Sequence, residues 1–273
     1  MRVGFIGLGN QGGPMARRVA LSETNSLTLW ARRDAALDPY RDTAAEFAKT
    51  PAELAAKSEV ISVCVFSDQD VEQVVLGTDG VLEGAAPDSV IAIHSTVSPR
   101  LILELAEKAA EKDVHLLDAP VSGGGAAAEA GALLVMVGSS PELFERCSPA
   151  FAPYGKPLVH VGPLGSGQLA KLLNNTLLTA HLGLADDTVA LAENLGLNAA
   201  ALIEVITHGS GNSFGFGMLQ RSGTVAAMGQ GAGPYLFKDV NLLEEAATTR
   251  GVDAHSLIGP ADRGLVALQV PRT

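Results

Sequence analysis

The first half of the chain alternates short apolar runs with longer stretches rich in Ala, Glu, Lys and Leu. The apolar runs are typical of buried strands and lie at Val3–Ile6, Leu27–Trp30, Val60–Phe66, Val90–Ile93, His115–Leu117, Leu133–Val137 and Leu158–Val161. The stretches between them, such as Thr43–Lys57 and Leu101–Lys112, favour helices. Short buried strands separated by helices predict a parallel sheet that is covered on both faces.

The pattern changes after Gly162, where a glycine-rich turn leads into a long stretch without proline. Leu169–Leu195 predicts one helix of about 40 Å that stops near Gly196. The stretch His208–Gly217 is rich in glycine and predicts a loop. Further helices are predicted at Ala199–Ile206, Thr224–Met228 and Phe237–Thr249. We therefore expect two domains, an α/β domain over residues 1–162 and an all-helical domain over residues 163–273.

Composition narrows the class of protein. The 273 residues are 47% hydrophobic, and 19 basic against 30 acidic side chains give a net charge of −11. So acidic a chain is a poor partner for nucleic acids or anionic membranes. The two cysteines, Cys64 and Cys147, exclude a disulfide scaffold and a cysteine-rich zinc module. With no targeting segment, no stretch long enough to span a membrane and no cluster of metal-binding side chains in the sequence, we expect a cytoplasmic protein without a metal.

A glycine pattern follows the first apolar run directly. Gly7-Leu8-Gly9-Asn10-Gln11-Gly12 has the G-x-G-x-x-G spacing of a turn that binds a dinucleotide at the start of a helix. The second predicted strand ends with Trp30-Ala31-Arg32-Arg33, and the two arginines stand where an NAD site would carry an acidic residue. Guanidinium groups suit a 2′-phosphate, which favours NADP. If one arginine only stacks on the adenine, both NADP and NAD bind.

Four further segments accompany this turn, in order along nearly the whole chain. They are Ser95-Thr96, Asp118-Ala119-Pro120-Val121-Ser122-Gly123-Gly124, Gly165-Ser166-Gly167-Gln168-Leu169-Ala170-Lys171-Leu172-Leu173-Asn174-Asn175 and Lys238-Asp239. Together they resemble the β-hydroxyacid dehydrogenase family, which includes 3-hydroxyisobutyrate dehydrogenase and tartronate semialdehyde reductase. The resemblance implies a Rossmann domain followed by a helical domain. It also implies NAD(P)-dependent interconversion of a small β-hydroxy acid and its carbonyl acid.

The residues in these segments suit such chemistry. Lys171 and Asn175 are four apart on a predicted helix and so share one face. Lys171 can then exchange a proton with a hydroxyl or carbonyl oxygen while Asn175 orients it, although a lone helix lysine is also commonly just solvated. Ser122, Gly123 and Gly124 can form an anion-binding turn, and the resemblance implies that they bind the substrate carboxylate. It further implies cofactor contacts at Val65, Phe66, Thr96 and Lys238.

Some positions depart from the family pattern. Gln11 stands where relatives usually have Met, Val65-Phe66 stands where they have Leu-Pro, and the chain after Gln269 is shorter than in many of them.

Two other functions stay open. One is an imine reductase, for which the family resemblance implies a different residue at the position of Lys171. The other is a non-catalytic NADP-binding module. The long Leu- and Ala-rich helix predicts a homodimer or larger homo-oligomer.

Overall fold

The apolar runs of the first half form one sheet. The computed structural model describes residues 1–272, and among them nine strands pair in the order β3-β2-β1-β4-β5-β6-β8-β7, with β9 beside β8. Their bounds are β1 Arg2–Ile6, β2 Ser26–Trp30, β3 Glu46–Phe47, β4 Val60–Val63, β5 Val90–Ile93, β6 His115–Asp118, β7 Val121–Ser122, β8 Leu133–Gly138 and β9 Gly155–Gly162. The order from β3 to β6 is that of a Rossmann domain, which confirms the predicted fold class.

The predicted parallel pairing holds for most of this sheet. All pairs from β3 through β6 are parallel, and so is the pair of β8 with β9. Strand β8 runs antiparallel to β6 and β7. Because the strand order reverses between β1 and β4, the ends of these two strands mark the crevice where such sheets bind ligands.

Helices cover the sheet on both faces. They are α1 Gly12–Ala20, α2 Pro51–Ala56, α3 Asp68–Leu76, α4 Val81–Gly84, α5 Pro99–Ala110, α6 Gly124–Ala130 and α7 Pro141–Phe151, with a 3₁₀ helix at Asp34–Tyr40. Apolar side chains of alternating strand positions enter two separate cores, one around Phe5 and Leu29 and the other around Ile6 and Ile61. Since β4 and β5 are buried along their whole length, their sequences do not alternate, and every residue of the two strands except Ser62 is apolar.

One predicted helix was wrong over much of its length. The stretch Thr43–Lys57 contains helix only at Pro51–Ala56, where the Thr50 side chain accepts the Glu53 N–H as an N-cap. Residues Glu46–Phe47 pair instead with β2. The reason is tertiary, because the open edge of β2 offers backbone partners that outweigh a weak helical preference.

The second half of the chain is helical, as predicted. Its helices are α8 Ser166–Asn194, α9 Ala199–His208, α10 Phe214–Ser222, α11 Gly229–Thr249 and α12 His255–Ala267, with a 3₁₀ turn at Ala226–Met228. The predicted loop His208–Gly217 was wrong at its end, because Ser213 caps α10 by accepting the Phe216 N–H. Leu172, Phe216, Leu236 and Leu265 belong to the core of these helices.

The chain divides into two compact units, Met1–Lys171 and Leu172–Thr273. No break in secondary structure marks this division, because α8 runs through it. A domain boundary after residue 162 stays a prediction. Within residues 1–272, no helix combines the length and the apolar character that crossing a membrane requires.

Candidate cofactor and substrate site

The turn after β1 has the geometry that its three glycines predict. Gly7 has a φ of +98°, and a Cβ there would collide with the carbonyl of Cys64 on the neighbouring strand. A Cβ at Gly12 would collide with the carbonyl of Gly7. At Gly9, by contrast, no atom lies within 4 Å of where a Cβ would be. The backbone is thus packed tightly at Gly7 and Gly12 and open at Gly9, which fits a pyrophosphate approaching the start of α1.

Residues that follow β2 form hydrogen bonds with α1, the helix that begins at the glycine turn. The Tyr40 hydroxyl donates to the Gly13 carbonyl at 2.8 Å, and burial raises the pKa of Tyr40 to about 12, so it is a donor at every physiological pH. Nearby, Arg17 donates to Asp42 and to the Pro39 carbonyl. The 3₁₀ helix that follows β2 is therefore bound to α1 at two points, Tyr40 to Gly13 and Pro39 to Arg17.

A cavity of about 360 Å³ opens beside this turn. Its lining includes Gly7–Gly9, the strand end Trp30–Arg33, and Val65. The structure thereby brings together three segments that the sequence assigned to the cofactor. Arg32 donates to Asp70 of α3 at 3.0 Å. The hydrogen bond from the Ser67 hydroxyl and, after it, the bond from Arg32 lower the pKa of Asp70.

The loops after β4 and β5 are linked to each other. The Val65 N–H donates to the Ser95 hydroxyl at 2.8 Å. Gln168 of α8 binds the loop after β5, because its Nε2 donates to the Ser95 carbonyl at 2.9 Å and its Oε1 accepts the Val97 N–H at 3.1 Å. Through Ser95 it is also linked to the loop after β4. Thr96 lies between these anchored positions and is half-buried, whereas Phe66 is exposed. The sequence motif that contains Lys171 and Gln168 did not indicate this role of Gln168.

The Ser122–Gly124 segment lies close to the glycine turn. Ser122 ends β7, and Gly123 and Gly124 have φ angles of +133° and +73°, which L side chains adopt only under strain. Gln11 donates its Nε2 to the Gly124 carbonyl at 3.4 Å. The residue that departs from the family pattern therefore connects the predicted cofactor turn to the predicted carboxylate-binding segment.

Asp118 ends β6 and is completely buried. Its Oδ1 accepts the Gly165 N–H and its Oδ2 accepts the Gln168 N–H, each at 2.7 Å. Desolvation raises the pKa of Asp118 to about 6, and these backbone N–H groups oppose the rise. The DAPVSGG motif and the GSGQ motif are thus in direct contact through this carboxylate.

The two predicted catalytic residues lie on α8 and are both 9% exposed. Asn175 donates its Nδ2 to Asp239 of α11 at 2.6 Å, and its Oδ1 accepts from Asn174 at 3.1 Å. Lys238 pairs with Asp239 at 3.5 Å. Asp239 is buried and is therefore the acceptor that fixes Asn175. The contact of Lys238 with a cofactor stays a prediction.

Other chemistry has little support in the part of the chain that the structure describes. No three His, Cys, Asp or Glu side chains within residues 1–272 are placed to hold a metal ion. Cys64 and Cys147 are free thiols, and burial raises the pKa of each to about 12. Neither thiol is activated as a nucleophile.

Two family models match the chain in sequence order. Residues 2–162 match the NAD binding domain of 6-phosphogluconate dehydrogenase. Residues 165–258 match the domain described as NAD-binding of NADP-dependent 3-hydroxyisobutyrate dehydrogenase. The first model covers the glycine turn and the Asp118–Gly124 segment, and the second covers Lys171, Asn175 and Lys238.

Individual proteins match over most of their length. An uncharacterized oxidoreductase of Mycobacterium tuberculosis is 38% identical over 83% of this chain and 76% of its own. The 3-hydroxyisobutyrate dehydrogenase of Pseudomonas aeruginosa is 31% identical over 97% of this chain and 91% of its own. The solved structure of Mycobacterium tuberculosis 3-hydroxyisobutyrate dehydrogenase with L-serine has a TM-score of 0.81 at 26% identity, covering 98% of this chain and 91% of that one.

Proposed function

Because the chain belongs to the β-hydroxyacid dehydrogenase family, we propose that it interconverts a small β-hydroxy acid and its carbonyl acid with Lys171 as general acid and base. The class of enzyme follows from the family: an NAD(P)-dependent oxidoreductase that acts on a CH–OH group. The cofactor is NADP, with NAD as the alternative. The proposal concerns the substrate class and the residues that act on it.

The observation that carries the proposal is the pair Lys171 and Asn175 on α8. They are one helical turn apart and both are buried, and Asn175 is fixed by a 2.6 Å bond to Asp239. When bound, the nicotinamide ring supplies the acceptor for the hydride that leaves the carbinol carbon. In that direction the neutral Lys171 amine takes the hydroxyl proton, and in reduction the ammonium returns it to the carbonyl oxygen. Asn175 orients the same oxygen or Lys171 itself.

The substrate carboxylate is assigned to Ser122, Gly123 and Gly124. Successive backbone N–H groups in a turn with positive φ form a concave anion-binding surface, and the Ser122 hydroxyl adds a donor. The absence of side chains at Gly123 and Gly124 leaves room for a small acid. Gln11 supports this assignment, because its bond to the Gly124 carbonyl keeps the segment beside the glycine turn.

Arg32 and Arg33 are assigned to the 2′-phosphate of NADP, since both line the cavity beside the glycine turn. Gly7–Gly12 would hold the pyrophosphate, and Val65, Phe66 and Thr96 would contact the cofactor further along. Arg33→Ala should raise the KM for NADP by about 10-fold or more and leave the KM for NAD nearly unchanged, as expected for a lost charge-assisted bond. An equal effect on both cofactors would instead assign this arginine to adenine stacking.

The deciding experiment measures oxidation of 3-hydroxyisobutyrate, glycerate, 3-hydroxypropionate, serine, threonate and phenylserine with NADP and NAD in parallel. Lys171→Ala should lower kcat by about 10²- to 10⁴-fold, the usual contribution of general acid–base catalysis. Lys108→Ala, an exposed helix lysine of the same unit, is the matched control. Wild-type turnover by a folded Lys171→Ala protein would contradict the role of Lys171.

The same experiment distinguishes the two other functions. Turnover of cyclic imines but of no hydroxy acid would indicate an imine reductase. Bound NADP without turnover of any substrate would indicate a non-catalytic module. Lys171 argues against an imine reductase, for which the family resemblance implies a different residue at this position. The burial of Lys171 and Asn175 favours the dehydrogenase over a binding module, because a binding module has no need to bury a lysine.

A homodimer or larger assembly is the proposed state of the protein. Leu173, Leu177, Leu184 and Leu191 of α8 are each 46–59% exposed and, at spacings of four and seven, fall on one helix face. A second copy of this face is the self-complementary partner that covers it. Leu184→Glu should lower the mass seen in light scattering to that of a monomer, whereas Leu103→Glu, at an equally exposed position on α5, should not. A wild-type monomer at micromolar concentration would contradict the proposal.

We further assign the protein to the cytoplasm. Its two thiols are free, which fits a reducing compartment. Fractionation of expressing cells, with the protein followed by antibody, tests this assignment.

A further inference from the structure

Both oxygens of the Asp118 carboxylate are used at the start of α8. Gly165 immediately precedes this helix and Gln168 lies in its first turn, and their N–H groups donate to the two oxygens at 2.7 Å. The first N–H groups of a helix have no partner within the helix, and a carboxylate there also complements the positive end of the helix dipole. Asp118 therefore caps α8 from the end of a neighbouring strand rather than from the residue before the helix.

The surrounding backbone is shaped around this carboxylate. A Cβ added at Gly138 would collide with Oδ1 of Asp118, and one added at Gly167 would lie 2.8 Å from Oδ2. Gly138 ends β8, and Gly167 is the second residue of α8. The strand and the helix thus approach the carboxylate from two sides at distances that only glycine permits. Their close approach restricts the Asp118 side chain to a single position.

Gln168 provides a second connection between the same helix turn and the sheet. Its side chain binds the Ser95 carbonyl and the Val97 N–H on the loop after β5. Ser95 in turn accepts the Val65 N–H from the loop after β4. The first turn of α8 is therefore fixed to three strand ends of the sheet, those of β4, β5 and β6.

Holding a charge here is unfavourable for folding, since burial raises the pKa of Asp118 to about 6 in spite of its hydrogen bonds. A neutral side chain would avoid that cost. A charged group that is buried at a cost within a tightly fitted site is typical of a functional constraint.

We propose that Asp118 is a positioning residue for Lys171. By capping α8, it fixes where Lys171 lies along the helix axis and in which direction around that axis its side chain points. The inference rests on the proposed role of Lys171. Lys171 lies five positions after Ser166, about 8 Å along the helix axis, so an unravelled or shifted first turn would displace the lysine. Displacement of about 1 Å is enough to lower a rate by 10²-fold.

The experiment compares Asp118→Asn and Asp118→Ala with Ser140→Ala. Asn keeps the shape but replaces one accepting oxygen with a donor, which cannot pair with a backbone N–H. Ser140 caps α7 by accepting the Leu143 N–H, so its removal is a matched loss of an N-cap from a helix that carries no predicted site residue. We expect both Asp118 variants to lower kcat by about 10- to 100-fold with the KM for NADP within about twofold of wild type. Ser140→Ala should change neither.

A further readout separates positioning from simple stabilisation. Removing the negative charge should lower the apparent pKa of Lys171, which shifts the pH profile of kcat for oxidation to lower pH by about half a unit. Trace acetylation of Lys171 at several pH values gives the same pKa without any substrate. An unchanged profile and an unchanged acetylation pKa in Asp118→Asn would overturn the proposal, even if the protein became less stable.

Hydrogen exchange tests the cap itself. Amides of residues 165–171 should exchange about 10-fold faster in Asp118→Asn than in wild type or Ser140→Ala, since a lost cap lets the first turn open. Unchanged exchange would overturn the proposal. Should the wild type oxidise no hydroxy acid, the proposed function fails, and the acetylation pKa and the exchange rates still decide whether Asp118 positions Lys171.

Discussion

Asn175 donates to Asp239 with one end of its side-chain amide and accepts from Asn174 with the other, at 2.6 and 3.1 Å. The two bonds fix the orientation of the amide, because exchanging its oxygen and nitrogen would lose both. Both Asn175 and Asp239 are buried, so water cannot replace the lost bonds cheaply. Asn175, one helical turn along α8 from the predicted proton donor Lys171, thus has a defined rotamer and a defined polarity before any substrate binds.

Asp239→Ala should lower kcat by about 10- to 100-fold, because Asn175 would lose the acceptor that orients it. Stability should fall by about 1–3 kcal/mol, the usual cost of a buried donor without a partner. Steady-state kinetics and urea unfolding measure the two effects. Glu245→Gln, an exposed change on the same helix, is the control and should alter neither. Wild-type kcat in Asp239→Ala would remove Asn175 from the mechanism.

Asp70 should weaken NADP binding. Its carboxylate pairs with Arg32 at 3.0 Å beside the cavity that Arg32 and Arg33 line, so it competes with a dianionic 2′-phosphate for the same guanidinium. Asp70→Asn should lower the KM for NADP several-fold and leave the KM for NAD unchanged. The difference should shrink as salt is added, because exposed charges are screened. Glu72→Gln on the same helix is the control. A higher KM for NADP would show that Asp70 instead holds Arg32 in its binding position.

Two buried groups should give opposing effects of pH on stability. His94 is buried with a pKa of about 4, mainly through desolvation, and Asp118 has a pKa of about 6. Between pH 4 and 6.5 the unfolded chain binds a proton at His94 that the folded chain does not, so His94 destabilises the fold as pH falls. Between pH 3.8 and 6 the folded chain binds a proton at Asp118 that the unfolded chain does not, so Asp118 stabilises the fold as pH falls. Each effect is worth about 3 kcal/mol over its full range.

Asp118→Asn should therefore uncover the His94 effect. The stability of wild type relative to the variant should rise by about 1 kcal/mol from pH 6 to pH 5, since the pKa of Asp118 is about 6 and the full slope of about 1.4 kcal/mol per pH unit is reached only below it. Urea unfolding at pH 7, 6 and 5 measures it. The many exposed carboxylates contribute equally to both proteins and cancel in the difference. A difference that stays constant over this range would mean that Asp118 titrates elsewhere.

The parts of the site that sequence predicted correctly depend on local spacing. The glycine turn follows β1 directly, and Arg32 and Arg33 follow the neighbouring strand β2 within three residues, so both could be placed without knowing the rest of the fold. The bonds that were missed join residues far apart in sequence. Asp118 contacts Gln168 across 50 residues, Gln168 contacts Ser95 across 73, and Asn175 contacts Asp239 across 64. The periodicity of apolar residues along the sequence predicts local structure and does not indicate which distant residues form such pairs.

Errors in secondary structure have a similar origin. Glu46–Phe47 stands in an Ala- and Glu-rich stretch that favours helix, but it adds an edge strand to β2. Phe214–Gly217 looked like a loop because of its glycines, whereas a single Ser213 cap was enough to begin a helix there. In both places one tertiary or capping contact outweighed composition, since propensities differ by less than about 1 kcal/mol per residue.

The glycine turn itself allows a test that separates packing from cofactor binding. Gly9→Ala adds a methyl group where no atom lies within 4 Å, so folding should be unaffected, but the methyl group would stand where the pyrophosphate must approach the backbone. Gly12→Ala adds the same group against the Gly7 carbonyl and should destabilise the fold by about 1–3 kcal/mol.

For Gly9→Ala we expect a melting temperature equal to that of wild type and a KM for NADP raised by about 10-fold or more, since the lost contact is made by charged phosphate oxygens. Thermal unfolding without cofactor and a cofactor titration measure the two quantities. Added NADP should raise the melting temperature of wild type much more than that of Gly9→Ala, because at the same concentration a ligand with a lower Kd stabilises the fold more. Equal stabilisation of the two proteins would show that the pyrophosphate does not lie against Gly9.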